Sequence, residues 1–318
     1  MNRFSSLVKR SILEVTLLFL CVILAFRAEG FFSVANLLNI LRAVSMQGVI
    51  AFGMTMVIIS GEIDLSVGSA VAFSGCFMAF LTQSLGSIGI PMGWVISLSI
   101  LCSLAVGFAL GTLTGFIRMR FNVPTFITTL AWMTALRGIA ELITHGFPLT
   151  PFPEWYNFIG GGYLLGIPFP AIIFLIVFGF IHFLMNYTTF GRSIYAVGGN
   201  IEAARLSGIK VNRIKILVMG SVTFLASLAG IMQSAEIMSG TPTAAVGWEL
   251  NVIAAVIIGG TSLFGGVGKV RGTLTGVIFL GVLVNGMTLL NIGIYLQHVV
   301  RGLLILIAVL INRWQAEK

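Results

Sequence analysis

Long apolar runs separated by short polar links make up the chain. A ruler of about 20 apolar residues per membrane crossing divides them into roughly ten segments. These fall near 8–26, 43–60, 66–84, 92–116, 123–143, 167–185, 214–236, 248–262, 272–290 and 294–311. The pattern predicts an all-α integral membrane protein, a polytopic bundle of about ten transmembrane helices. Between the first two segments, FFSVANLL from Phe31 is expected as a short interfacial helix. The eighth is irregular: Trp248 to Gly260 offers only about a dozen residues, so it reads as a half-helix or re-entrant segment.

Two further places depart from plain spans. VIISGEIDLSVG over 57–68 and VIIGGTSLFGGVG over 256–268 each consist of an apolar VII run, a Gly-bearing break and a return to apolar sequence. They read as a duplicated helix–break–helix unit, with broken or re-entrant segments. Irregular backbone at membrane depth exposes groups that bind ligand or bend during gating. The pathway or gating candidates here are Glu62, Asp64, Ser66, Gly68, Gly259, Gly260, Thr261 and Ser262. Glu62 and Asp64 are either buried acids with a functional role or parts of a wetted turn in which Asp64 caps the next helix.

One long polar stretch, 187–215, carries Arg192, Arg205, Lys210, Arg213 and Lys215 against a single acid, Glu202. Such an excess places it on the cytoplasmic side. Alternation then puts Arg3, Lys9 and Arg10, Arg118 and Arg120, Lys269 and Arg271, and Arg313 and Lys318 on the same side, with both termini cytoplasmic. Gly191, Gly198 and Gly199 punctuate the stretch. Asn200 is a helix N-cap, and Ile201 to Ser207 reads as a short helix ending at Gly208. It is either an element shaped to be gripped or a solvated linker. The outer loop Thr144 to Gly166 presents Trp155 and Tyr156 as a docking surface or lid.

Composition narrows the class. Hydrophobic residues make up 58% and charged residues 9%, which excludes a soluble globular protein. The net charge of +8 is dispersed along segment ends, so it reports topology rather than a nucleic-acid partner. Cys21, Cys76 and Cys102, and His145, His182 and His298, have no metal or disulfide spacing. GGVGKV at 265–270 is not a phosphate loop, because Leu263 and Val270 stand where Gly and Ser or Thr are needed. No enzyme motif is found. Gly107, Gly111 and Gly115, and Gly272 and Gly276, are spaced for close helix packing. Arg137 and Glu141 are placed to pair along one helix face. Asn285 is a further pathway candidate. Together with Gln297, Arg301, Trp94, Phe126 and Trp132 it supplies the amides and aromatics that suit a polyhydroxylated solute.

The strings NLLNILR, GMTMVIISGEIDLSVGS, NVPTFITTL, TTFGRSIYAVGGNIEAARLSGIKV, ELNVIAAVIIGGTSLFGGVGKVRGT and NGMTLL run in order along nearly the whole chain. In these the sequence resembles the permease subunits of bacterial ATP-binding-cassette importers for ribose and related monosaccharides. The resemblance implies one permease domain over 1–318 in the inner membrane, moving a ribose-like sugar by alternating access. It implies a cytoplasmic ATPase that holds ATP and Mg, a periplasmic sugar-binding protein, and a second permease subunit, identical or paralogous, with no cofactor in this chain. The ATPase-coupling element would be the loop carrying Gly191, Arg192, Gly198, Gly199, Asn200, Glu202, Ala203, Ala204 and Gly208. Glu62, Asn251, and Val267 with Lys269 depart from the family's usual residues and leave the sugar open. The same machinery would serve autoinducer-2, a polyol or a nucleoside. An ion-coupled secondary transporter using Glu62 and Asp64 is the alternative from another class.

Overall fold

The computed structural model describes residues 12–316. Arg3, Lys9, Arg10 and Lys318, which carry part of the charge argument for the termini, lie outside the described residues. Each predicted segment falls on a helix: α1 Ile12–Arg27, α2 Val34–Ile59, α3 Val67–Gly86, α4 Met92–Phe121, α5 Thr125–Thr144, α7 Phe169–Tyr187, α10 Val211–Ile237, α11 Trp248–Ile258, α12 Val270–Leu289 and α13 Ile294–Ala316. Seven of them are long and apolar enough to cross a membrane, so the fold is an all-α polytopic bundle. Among the described residues the other three, α1, α11 and the apolar part of α13 (Ile294–Leu310), are shorter than that measure. At 1.5 Å per residue, the 11 residues of α11 span about 17 Å, roughly half the hydrocarbon thickness.

α2 and α10 form the centre. Val49, Ile50, Phe52, Met54, Met56, Val57 and Ile58 of α2 are completely buried, on every side of the helix, as befits a span surrounded by other helices. α10 packs against α2, α3 and α4. Against α4 the approach is set by glycine. A Cβ on Gly107 would strike Ser227, one on Gly111 would strike the Met219 carbonyl, and one on Gly115 would lie 2.7 Å from Ile216 Cα. Gly272 and Gly276 bring α12 onto α11 in the same way, against Gly259 and the Ala255 carbonyl. With no water to expel in lipid, such backbone proximity is what holds helices together.

Three sequence expectations change. The interfacial helix at Phe31 does not stand apart, because α2 runs unbroken from Val34 to Ile59, opened by Ser33, whose side chain accepts from Asn36 N at 3.2 Å. The stretch 187–215 holds a second helix before the expected one. Thr188 caps α8 (Thr189–Gly199), Asn200 caps α9 (Ile201–Leu206), and α10 begins at Val211. In the connection 144–166, a 3-10 turn at Glu154–Tyr156, α6 (Asn157–Gly161) and the hairpin β1–β2 (Tyr163–Leu164, Ile167–Pro168) form a small cap. Trp155 is exposed there, but Tyr156 is fully buried, its hydroxyl 2.8 Å from Ser234 Oγ. Tyr156 is therefore a packing residue.

Candidate functional site

The two breaks leave their helices by the same route. After α2, Gly61 N donates to Ile58 O at 3.0 Å and Glu62 N to Val57 O at 3.1 Å, with Gly61 at φ +79°. After α11, Gly260 N donates to Ile257 O at 2.8 Å and Thr261 N to Val256 O at 3.2 Å, with Gly260 at φ +86°. Each is the paired bond pattern of a Schellman terminus, which requires the left-handed conformation that glycine adopts without penalty.

The breaks then meet. Gly266 N donates to Ile59 O at 2.8 Å, joining the second break to the end of α2. α8 lies against the same point. A Cβ on Gly198 would collide with the Ile59 carbonyl and stand 2.7 Å from Gly266 N, and Tyr195 Oη donates to Gly268 O at 2.9 Å. Burial raises the Tyr195 pKa, which keeps the phenol a neutral donor. The structure thus gathers three sequence-predicted elements, 57–68, 256–268 and 187–215, at one end of the bundle.

Glu62 fixes this end to the remaining spans. Its side chain is buried and bonded to Lys215 Nζ of α10 and Thr125 Oγ1 of α5, while Arg118 Nε of α4 lies 3.3 Å from Oε1. Lys215 is buried as well. This replaces the wetted turn with a buried charge cluster whose two cations compensate one carboxylate. Sequence reasoning missed Lys215, Arg118 and Thr125 as partners. The available signal was that basic-side alternation put both cations at the same level as the first break. Asp64, also buried, does not cap α3. Its Oδ1 accepts from Ser66 N at 2.8 Å and Ser66 Oγ at 2.6 Å, and Ser66 itself stands at the N-cap without a side-chain cap bond.

The coupling candidates separate into two groups. Arg192, Gly199, Asn200, Glu202, Ala203 and Gly208 are exposed. Gly191 and Ala204 are buried, Ala204 in a small core with Val197 and Val211, and Gly198 faces the breaks. Asn200 Oδ1 accepts from Ala203 N at 3.0 Å, and Glu202 pairs with Arg205 at 3.2 Å on the open surface. In the second break Thr261 is buried, Gly259 packs on Gly272, and Ser262 Oγ accepts from Phe264 N at 3.2 Å.

Other predicted residues lie elsewhere. Gly68, in the first turn of α3, faces the Ala245 carbonyl and Glu249. Asn285 exchanges amide bonds with Asn36, at 3.0 and 2.7 Å, near the opposite end of α12 from the breaks. Arg137 does not pair with Glu141. Its guanidinium donates to the carbonyls of Pro242 and Ala244, the latter at 2.8 Å, and Glu141 is exposed. The bare carbonyls of the 238–247 connection offer it better-placed acceptors than a carboxylate one turn away.

A family model described as branched-chain amino acid transport system / permease component matches residues 36–309. The chain is 44% identical to the ribose import permease protein of Haemophilus influenzae over 96% of its own length and 93% of that protein's. To the ribose import permease protein of Bacillus subtilis it is 42% identical, over 93% and 90%. To the L-arabinose ABC transporter permease protein of Azospirillum brasilense it is 36% identical, over 98% and 90%. No solved structure matches the chain.

Proposed function

The chain belongs to this family of transport-system permease components, and from that premise we propose that it is the membrane subunit of an ATP-binding-cassette importer for a monosaccharide of the ribose type. The observation that carries the substrate class is near-full-length identity of 42–44% to ribose import permeases from Haemophilus and Bacillus. A separate ATPase, holding ATP and Mg, and a substrate-binding protein complete the machine, with a second permease subunit, identical or paralogous, across the pathway. In this reading the termini and the stretch 187–215 face the cytoplasm.

The mechanism follows from what α8 and α9 touch. Their outer side presents Arg192, Asn200, Glu202 and Ala203 to a partner. Their inner side rests, through Gly198 and Tyr195, on backbone atoms of both breaks. Closure of the ATPase against the outer side displaces the pair, and the displacement reaches the end of α2 and the second break by backbone contact at Gly198 and through the Tyr195 hydroxyl. Because the breaks are irregular backbone, they bend where a continuous helix would resist. Glu62 carries the motion on to α4, α5 and α10. Ion-coupled transport is not favoured: the relatives that the chain matches over nearly its full length are import permeases and ABC transporter permeases, and Glu62 is already engaged by Lys215 and Arg118.

Affinity purification of the chain from mildly solubilised native membranes tests the assignment. A P-loop ATPase in stable ratio, with sugar uptake that needs ATP and ignores ionophores, is the expected result. Uptake by the purified chain alone, driven by a pH or sodium gradient, would overturn it.

A further inference from the structure

Away from the breaks, a cavity of about 330 Å³ opens between α2, α11, α12 and α13. Its polar lining comes from Asn39 and Gln47 of α2, Asn251 of α11, Asn285 and Thr288 of α12, and Arg301 of α13. The remaining walls are mainly aliphatic. The polar residues occupy consistent helix faces. Asn39, Ala43 and Gln47 repeat every fourth residue, as do Gly281 and Asn285, so each helix turns one strip toward the same space. Gly281 forms part of the wall where α12 touches α2, since a Cβ there would collide with the Val44 side chain.

Amides and a guanidinium set among apolar helices are expensive unless something hydrogen-bonds to them. Asn285 meets part of that need with Asn36, but Arg301 Nε is buried with no hydrogen-bond partner among the described residues. The donor set is also selective. Each amide both donates and accepts, Arg301 only donates, and no Asp or Glu lines the cavity. A metal or ammonium ion finds no carboxylate here, while a ligand rich in hydroxyls can pair with every group. The volume sits at the low end for ligand sites, which suits one small molecule.

We infer that this cavity is a station for the permeant inside the membrane, binding a neutral polyhydroxylated solute through Gln47, Asn251, Asn285 and Arg301. The inference rests on the importer reading and names where within the chain the sugar is held.

Two measurements test it. In a chain with Cys21, Cys76 and Cys102 replaced by Ala, Gln47→Cys is labelled with a water-soluble maleimide with and without millimolar D-ribose. In the importer reconstituted with its ATPase and binding protein, Asn251→Leu is assayed for ribose uptake and for ATP hydrolysis. The expected results are labelling slowed by ribose but not by NaCl, and uptake reduced roughly tenfold, the size of one lost hydrogen bond, with ATP hydrolysis still stimulated by the loaded binding protein. Labelling indifferent to ribose, together with uptake by Asn251→Leu within about twofold of the parent, would overturn the cavity assignment and leave the importer reading standing. Protection from labelling in a chain that takes up ribose without any ATPase would support the cavity and overturn the importer reading instead.

Discussion

The two breaks begin alike and end differently. Both follow a Val-Ile-Ile run, and both stop their helix with the same pair of bonds around a left-handed glycine, Gly61 in one and Gly260 in the other. Beyond that point the first break turns acidic, and Glu62 reaches into a charge cluster that ties it to α4, α5 and α10. The second stays glycine-rich, and Gly265 and Gly266, both at positive φ, let its backbone lie directly on α2 and α8. Helix termination is thus shared, while attachment is divided: one break grips by charge and the other by backbone contact. The difference teaches that a repeated motif need not repeat its role.

Removing the charge attachment has the largest expected effect. Lys215→Ala leaves Glu62 buried with only Arg118 as counter-charge. Losing one partner of a buried ion pair costs about 3–5 kcal/mol, read as a lowered Tm in detergent. Glu62→Gln combined with Lys215→Met should recover most of that loss, since the penalty lies in the unpaired charge. If the double variant is no more stable than Lys215→Ala, the cluster is not what holds the first break.

The backbone attachment comes next. Gly198→Val forces α8 away from Ile59 and Gly266, an overpacking cost of about 1–3 kcal/mol, and should reduce uptake more than it reduces stability. Gly199→Val is the control, because nothing lies within 4 Å of a Cβ at Gly199. Equal uptake by the two variants would remove α8 from the account. A smaller effect tests the shared beginning. Gly61→Ala and Gly260→Ala each put a side chain at positive φ in otherwise open space, so each should cost about 1–2 kcal/mol, and by similar amounts. Unequal costs would mean that the two termini are alike in geometry but not in load. The smallest is Asn200→Ala, which removes the cap of α9 for about 1 kcal/mol, measured by Tm.

Much of this was legible in the sequence because it is written in local signals. Segment positions follow from apolar run length, the short α9 from Asn200 and Gly208, and the two breaks from glycine after a Val-Ile-Ile run. What was not legible depends on which segments become neighbours. Nothing local joins Glu62 to Lys215, 153 residues away. Nothing local turns Ala204 inward while Ala203 faces out, since both suit the same short helix. Tyr156 looked like an outward aromatic because its partner, Ser234, lies on α10. Arg137 looked paired because the carbonyls it uses belong to an irregular connection that periodicity does not predict.

The central claim is that α8 and α9 pass the motion of the ATPase to the breaks. The most direct test is the ratio of sugar imported to ATP hydrolysed in the reconstituted importer carrying Ala203→Trp or Glu202→Lys, both on the exposed side of α9 and away from the core. The account predicts a folded, inserted permease whose partner still hydrolyses ATP while the ratio collapses. Full uptake at the parental ratio in both variants would contradict it.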